Sequence, residues 1–67
     1  MLVFVNKENL KEMRQKLNLS QRKLSLISGL PVNAVKRMET EDRRVSSLRL
    51  LAVATTLGCS VTDLMHD

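Results

Sequence analysis

The sequence predicts an all-α fold, five short helical segments packed around one aliphatic core. Three observations lead there. Leu-rich stretches recur with a spacing of three to four residues while β-branched alternation is scarce, which is the signature of amphipathic helices. The chain is 43% apolar yet has one aromatic residue, Phe4, so Leu, Val, Ile, Met and Ala must build the core. With 67 residues it can form one domain, spanning 1–67, close to the lower size at which a hydrophobic core suffices alone.

Residues 1–5, MLVFV, are too few for periodicity to decide between a strand, an N-terminal extension on the bundle and a lead-in to the first helix. Asn6 is suited to cap a first helix over about 7–17, with Leu10, Met13 and Leu17 on one face and Glu8 and Lys16 placed as the macrodipole favours. Arg14 stands at the border of that apolar stripe. Ser20 can cap a second helix over about 21–28, carrying Leu24, Leu26 and Ile27, which must stop at Gly29 because glycine readily takes the left-handed turn that ends a helix. Pro31 favours the start of a third helix over about 32–40, with Val35 and Met38 inward. Two helices joined through Gly29, Leu30 and Pro31 over 20–39 have the form of a helix-turn-helix, whose second helix can enter the major groove of DNA. Residues 41–45, EDRRV, carry no periodicity and read as a loop. Ser46 or Ser47 can cap a fourth helix ending at Leu57 before Gly58, apolar nearly all round with Arg49 its one charge. Ser60 and Asp63 have capping-box spacing ahead of a last turn holding Val61, Leu64 and Met65.

The net charge is +4, distributed as +2 over residues 1–19, +3 over 20–44 and −1 over 45–67. A basic footprint confined to the part that holds the helix-turn-helix suits a phosphate backbone, although a solvated lysine and arginine surface gives the same count. Cys59 and His66 are the only residues of their types, too few for a disulfide or a structural zinc site, and no base stands by Cys59 to make it a nucleophile. An enzyme is therefore not expected, nor a cofactor, metal or small-molecule ligand. No apolar run approaches the roughly 20 residues that cross a bilayer. MLVFV is followed by charge rather than a cleavage site, so the expected location is cytoplasmic.

LKEMRQKLNLSQRKLS, then GLPVNAVKRME, then LRLLAVATTLG with CSVTDL together resemble the Cro and lambda-type phage repressor family, also called the xenobiotic-response-element helix-turn-helix family. The resemblance spans about residues 10–65. It rests on the order Leu10, Arg14, Leu19-Ser20-Gln21, Leu24, Gly29, Val35, Glu39, Leu57-Gly58 and Leu64. It implies a compact five-helix, lambda-repressor-like DNA-binding domain with the helix-turn-helix as helices two and three. It also implies an ion pair between Arg14 and Glu39 that ties the recognition helix to the scaffold. Gln21 falls where such proteins contact a phosphate, with Arg22, Lys36, Arg43 and Arg44 as further phosphate contacts. On the outward face of helix three, Asn33 and Arg37 suit adenine and guanine edges, and Val32 suits a thymine methyl.

The sequence departs from the family at three places. Pro31 stands where a Ser or Thr usually caps helix three, Ser25 replaces a small apolar Ala, and Glu41 replaces a glycine, with Asp42 beside it. The implied function is a small repressor that occupies a double-stranded DNA operator as a homodimer. Val45, Leu48, Leu51, Leu64 and Met65 are candidate dimer contacts and MLVFV the rival surface. No effector domain or cleavable linker is expected, so control would fall to concentration, dimerisation or a regulatory protein partner. The alternative is a protein-interaction module, such as an antitoxin or antirepressor, that presents the same helix face to a protein.

Overall fold

A computed structural model describes residues 1–66. The described residues form strand β1 (Leu2–Phe4), helix α1 (Lys7–Lys16), helix α2 (Gln21–Ile27), helix α3 (Ala34–Thr40), strand β2 (Arg44–Ser46) and helix α4 (Ser47–Leu57), with a 3-10 turn at Val61–Leu64. This corrects the all-α, five-helix expectation. Among the described residues there are four α-helices and a small antiparallel sheet, and the fifth segment is one 3-10 turn.

The sheet pairs Leu2 with Ser46, Val3 with Val45 and Phe4 with Arg44. The middle three residues of MLVFV are thus a strand, and part of the expected 41–45 loop is its partner. Alternation sends Val3 and Val5 into the core and leaves Leu2 and Phe4 exposed, with the Arg44 guanidinium 5.5 Å from the Phe4 ring centre. Val5 bridges to Met65, and the His66 N–H donates to the Phe4 carbonyl at 2.9 Å, so residues 4–5 are stitched to residues 65–66.

Local chemistry sets the helix limits. Asn6 Oδ1 accepts the Asn9 N–H at 3.1 Å, and α1 ends before Asn18, which takes a left-handed φ of 55°. Because α1 stops at Lys16, Leu17 lies beyond the apolar face and is half exposed. Ser20 Oγ caps α2 by accepting the Lys23 N–H at 2.9 Å, and Gly29 turns the chain with φ 73°. α2 buries Leu24 and Ser25, whereas Leu26 and Ile27 are half exposed, so its inward face is narrower than its apolar residues suggest. The expected start of α3 at Val32 moves to Ala34. Proline has no cap side chain, and the Ala34 N–H closes a turn on the Pro31 carbonyl at 2.9 Å instead. α4 runs into Gly58, left-handed at φ 75°, and buries Leu50, Val53 and Ala54.

The core gathers Val3, Val5, Leu10, Leu24, Val35, Met38, Leu50, Val53, Ala54 and Leu64, with at least one residue from every helix, from β1 and from the 3-10 turn. No helix among the described residues is long and apolar enough to cross a membrane.

Candidate nucleic-acid interface

α3 presents two faces. Ala34, Val35 and Met38 are buried, while Asn33, Lys36 and Arg37 are exposed and Val32 is half-buried in the turn ahead. The N-terminal end of this outer face borders an open cleft. Residues 31–34, Arg37 and Met38 form one wall, and residues 43–46 with Arg49 form the other. Asn33 and Val32 therefore share one concavity with four arginines, Arg37, Arg43, Arg44 and Arg49. Arg49 had no assigned role in the sequence. It lies on the exposed side of the first turn of α4, and β2 delivers that turn to the cleft; spacing along the chain carries no signal of it, since it stands nine residues beyond Thr40, the end of α3.

Glu41 is the acid in this region that engages the cationic groups. Its two carboxylate oxygens accept from Arg37 Nε and Arg43 Nη1, each at 3.3 Å. Asp42 turns away to Lys7 at the start of α1, and that exposed pairing holds its carboxyl below the usual value.

α3 is tethered at both ends. At its C-terminal end, Arg14 donates through Nε to Glu39 Oε2 at 2.7 Å and through Nη2 to Oε1 at 3.0 Å, a bidentate pair. Arg14 Nη1 also donates to the Leu19 carbonyl at 2.8 Å. The Gln21 side-chain N–H donates to Glu39 Oε1 at 3.0 Å, so one proton of that amide faces inward. The side chains of Arg14 and Glu39 are 10% and 4% exposed. At the other end, Ser25 Oγ accepts the Val35 N–H at 2.9 Å.

The remaining sequence candidates are scattered. Arg22 and Lys36 are exposed outside the cleft. Leu48 and Leu51 are 74% and 46% exposed on α4, whereas Val45 and Met65 are half-buried beside β1. Leu64 has no exposed surface, because its side chain completes the core. Met1 lies at the start of α4, its carbonyl accepting the Ser47 N–H at 2.8 Å.

Comparison with known proteins agrees with this architecture. The crystal structure of the restriction-modification controller protein C.AhdI from Aeromonas hydrophila is similar, with a TM-score of 0.77 and 33% sequence identity over 85% of this chain and 86% of that one. No curated protein sequence matches. The HTH_3 helix-turn-helix family matches residues 10–64. The chain belongs to that family, the Cro/C1-type helix-turn-helix domains of DNA-binding transcription regulators.

Proposed function

We propose that the protein is a sequence-specific regulator of Cro-like repressor type, which occupies a double-stranded DNA operator as a homodimer with residues 32–39 in the major groove. The observation that carries this reading is the cleft where Asn33, Val32 and Arg37 stand beside Arg43, Arg44 and Arg49. Asn33 pairs with the N6/N7 edge of adenine, Arg37 with the O6/N7 edge of guanine, and Val32 touches a thymine methyl. Arg22, Lys36, Arg43, Arg44 and the added Arg49 neutralise phosphates. Gln21 offers them the amide proton that Glu39 does not hold.

Leu48 and Leu51 form the apolar centre of the dimer contact, with Val45, Met65 and the exposed Met1 and Leu2 at its edge. Operator half-sites then lie about one helical turn, roughly 34–36 Å, apart. The similarity to a restriction-modification controller makes control of restriction-modification the setting to examine first, ahead of a phage or mobile-element switch.

Selection of bound sites from random DNA at low and moderate salt tests the proposal. It expects a two-fold symmetric site and binding that weakens steeply with salt. Enrichment of nothing, together with salt-insensitive capture of a protein, would favour the antitoxin or antirepressor reading, to which the hold of Glu41 on Arg37 and Arg43 lends its support.

A further inference from the structure

Asn33 occupies the N-cap of α3, where an asparagine carboxamide ordinarily accepts a backbone N–H from the first turn. It makes no such bond. The N–H in question, on Val35, goes to Ser25 Oγ of α2 at 2.9 Å. The Ser25 hydroxyl proton is donated to the Gln21 carbonyl at 2.9 Å, which fixes the rotor and leaves a lone pair facing Val35. Ser25 and Val35 are both fully buried, so water does not reach the site to take over the bond.

We infer that Ser25 is a specificity-determining positioning residue: by capping α3 from α2, it leaves the Asn33 carboxamide exposed and free to read a base edge. The inference rests on the base-reading role proposed above for Asn33. Bidentate pairing with adenine uses Oδ1 as acceptor for the N6 amino group and Nδ2 as donor to N7. An asparagine that caps its own helix spends that same Oδ1 on a backbone amide. Without Ser25 Oγ, the buried Val35 N–H has no acceptor, and the Asn33 carboxamide, two residues ahead at the N-cap, reaches it once the Asn33 backbone moves from φ −98°, ψ 7° to the extended conformation of a capping residue. A serine that served packing alone would change stability but not the choice between bases.

The test uses the full chain and its selected DNA site. Ser25→Ala, Asn33→Ala and the double variant are compared on that site and on versions with single base pairs changed, at fixed salt. Asn33→Ala identifies the base pair it reads by a loss of discrimination there, roughly 5- to 150-fold. Ser25→Ala should lose discrimination at the same base pair, and the double variant should lose no more than Asn33→Ala alone. Full discrimination retained by Ser25→Ala, or losses that multiply in the double variant, would overturn the inference. If Asn33→Ala relaxes no base pair, the base-reading role fails and the inference with it, an outcome distinct from failure of Ser25→Ala alone. Should Ser25→Ala not fold, the thermal midpoint of Asn33→Ala decides: unchanged, as expected of a residue that caps nothing, or lowered, which would make Asn33 the cap and sink the inference.

Discussion

Replacement of Arg14 by Ala breaks the buried pair that holds the C-terminal end of α3. The substitution removes both bonds to Glu39 and the bond to the Leu19 carbonyl, leaving a carboxylate with 4% of its side chain exposed and only the Gln21 amide against it. Breaking a buried pair by deleting one partner costs about 3–5 kcal/mol, because the surviving charge stays desolvated. A domain of this length has a total stability of only about 3–10 kcal/mol. At roughly 4–8 °C per kcal/mol for so small a domain, the midpoint should fall by roughly 12–40 °C. Circular dichroism melts of the wild type and of Arg14→Ala measure it. Arg14→Met/Glu39→Met, which removes both charges, should lie much closer to wild type than either single variant. A fall of less than about 5 °C for Arg14→Ala, below the range worked from ~4–8 °C per kcal/mol, would refute the buried-pair account. So would strict additivity in the double variant.

Three further outcomes follow from named contacts. Leu48→Glu, at a site 74% exposed and thus tolerant in the monomer, should convert a dimer to monomer in sedimentation without lowering secondary structure; an unchanged dimer would move the interface elsewhere. Gly58→Ala meets no atom within 4 Å but must hold φ at 75°, so it should lose about 1–2 kcal/mol through backbone strain alone, read as a lower denaturation midpoint at unchanged m-value. The Cys59 thiol is pushed up from its ordinary value by burial first and by the Asp63 carboxylate second. Its alkylation rate should reach half-maximum at higher pH than that of an unfolded cysteine peptide, and a profile at or below the peptide's would contradict that environment.

Legibility in the sequence follows the range of each signal. The caps at Asn6 and Ser20 and the left-handed glycines at 29 and 58 act within a few residues, and the chain displays them directly. The β1–β2 pair was not legible, because each strand is three residues long and the partners stand some forty positions apart. Seven residues of α2 give too little periodicity to distinguish buried Leu24 from half-exposed Leu26 and Ile27. Arg49 was hidden for a different reason. A lone charge on an otherwise apolar helix looks like a solvated residue until β2 brings its turn to the cleft that α3 also lines. Within the cleft itself, residue types are readable from the outer face of α3, but their partners arrive through tertiary packing.

Two of the sequence's departures from its family belong to one arrangement. Pro31 offers no capping side chain ahead of α3, Asn33 at the N-cap makes no cap bond, and the hydroxyl that distinguishes Ser25 from alanine supplies an acceptor from the neighbouring helix. A seven-residue helix has no independent stability, so its pose depends on what holds it. Here α3 is held at its N-terminal end by Ser25 and at its C-terminal end by Arg14 and Gln21 on Glu39, with Val35 and Met38 buried between. All three polar tethers come from α1 and α2, and none uses Val32, Asn33, Lys36 or Arg37. The scaffold thus satisfies the helix from behind, and of those outer-face side chains only Arg37 has a hydrogen-bond partner among the described residues, Glu41. Strengthening a tether should therefore raise stability without altering which bases are preferred, whereas Ser25→Ala should lower the melting midpoint and, on the inference above, discrimination at the base pair that Asn33 reads.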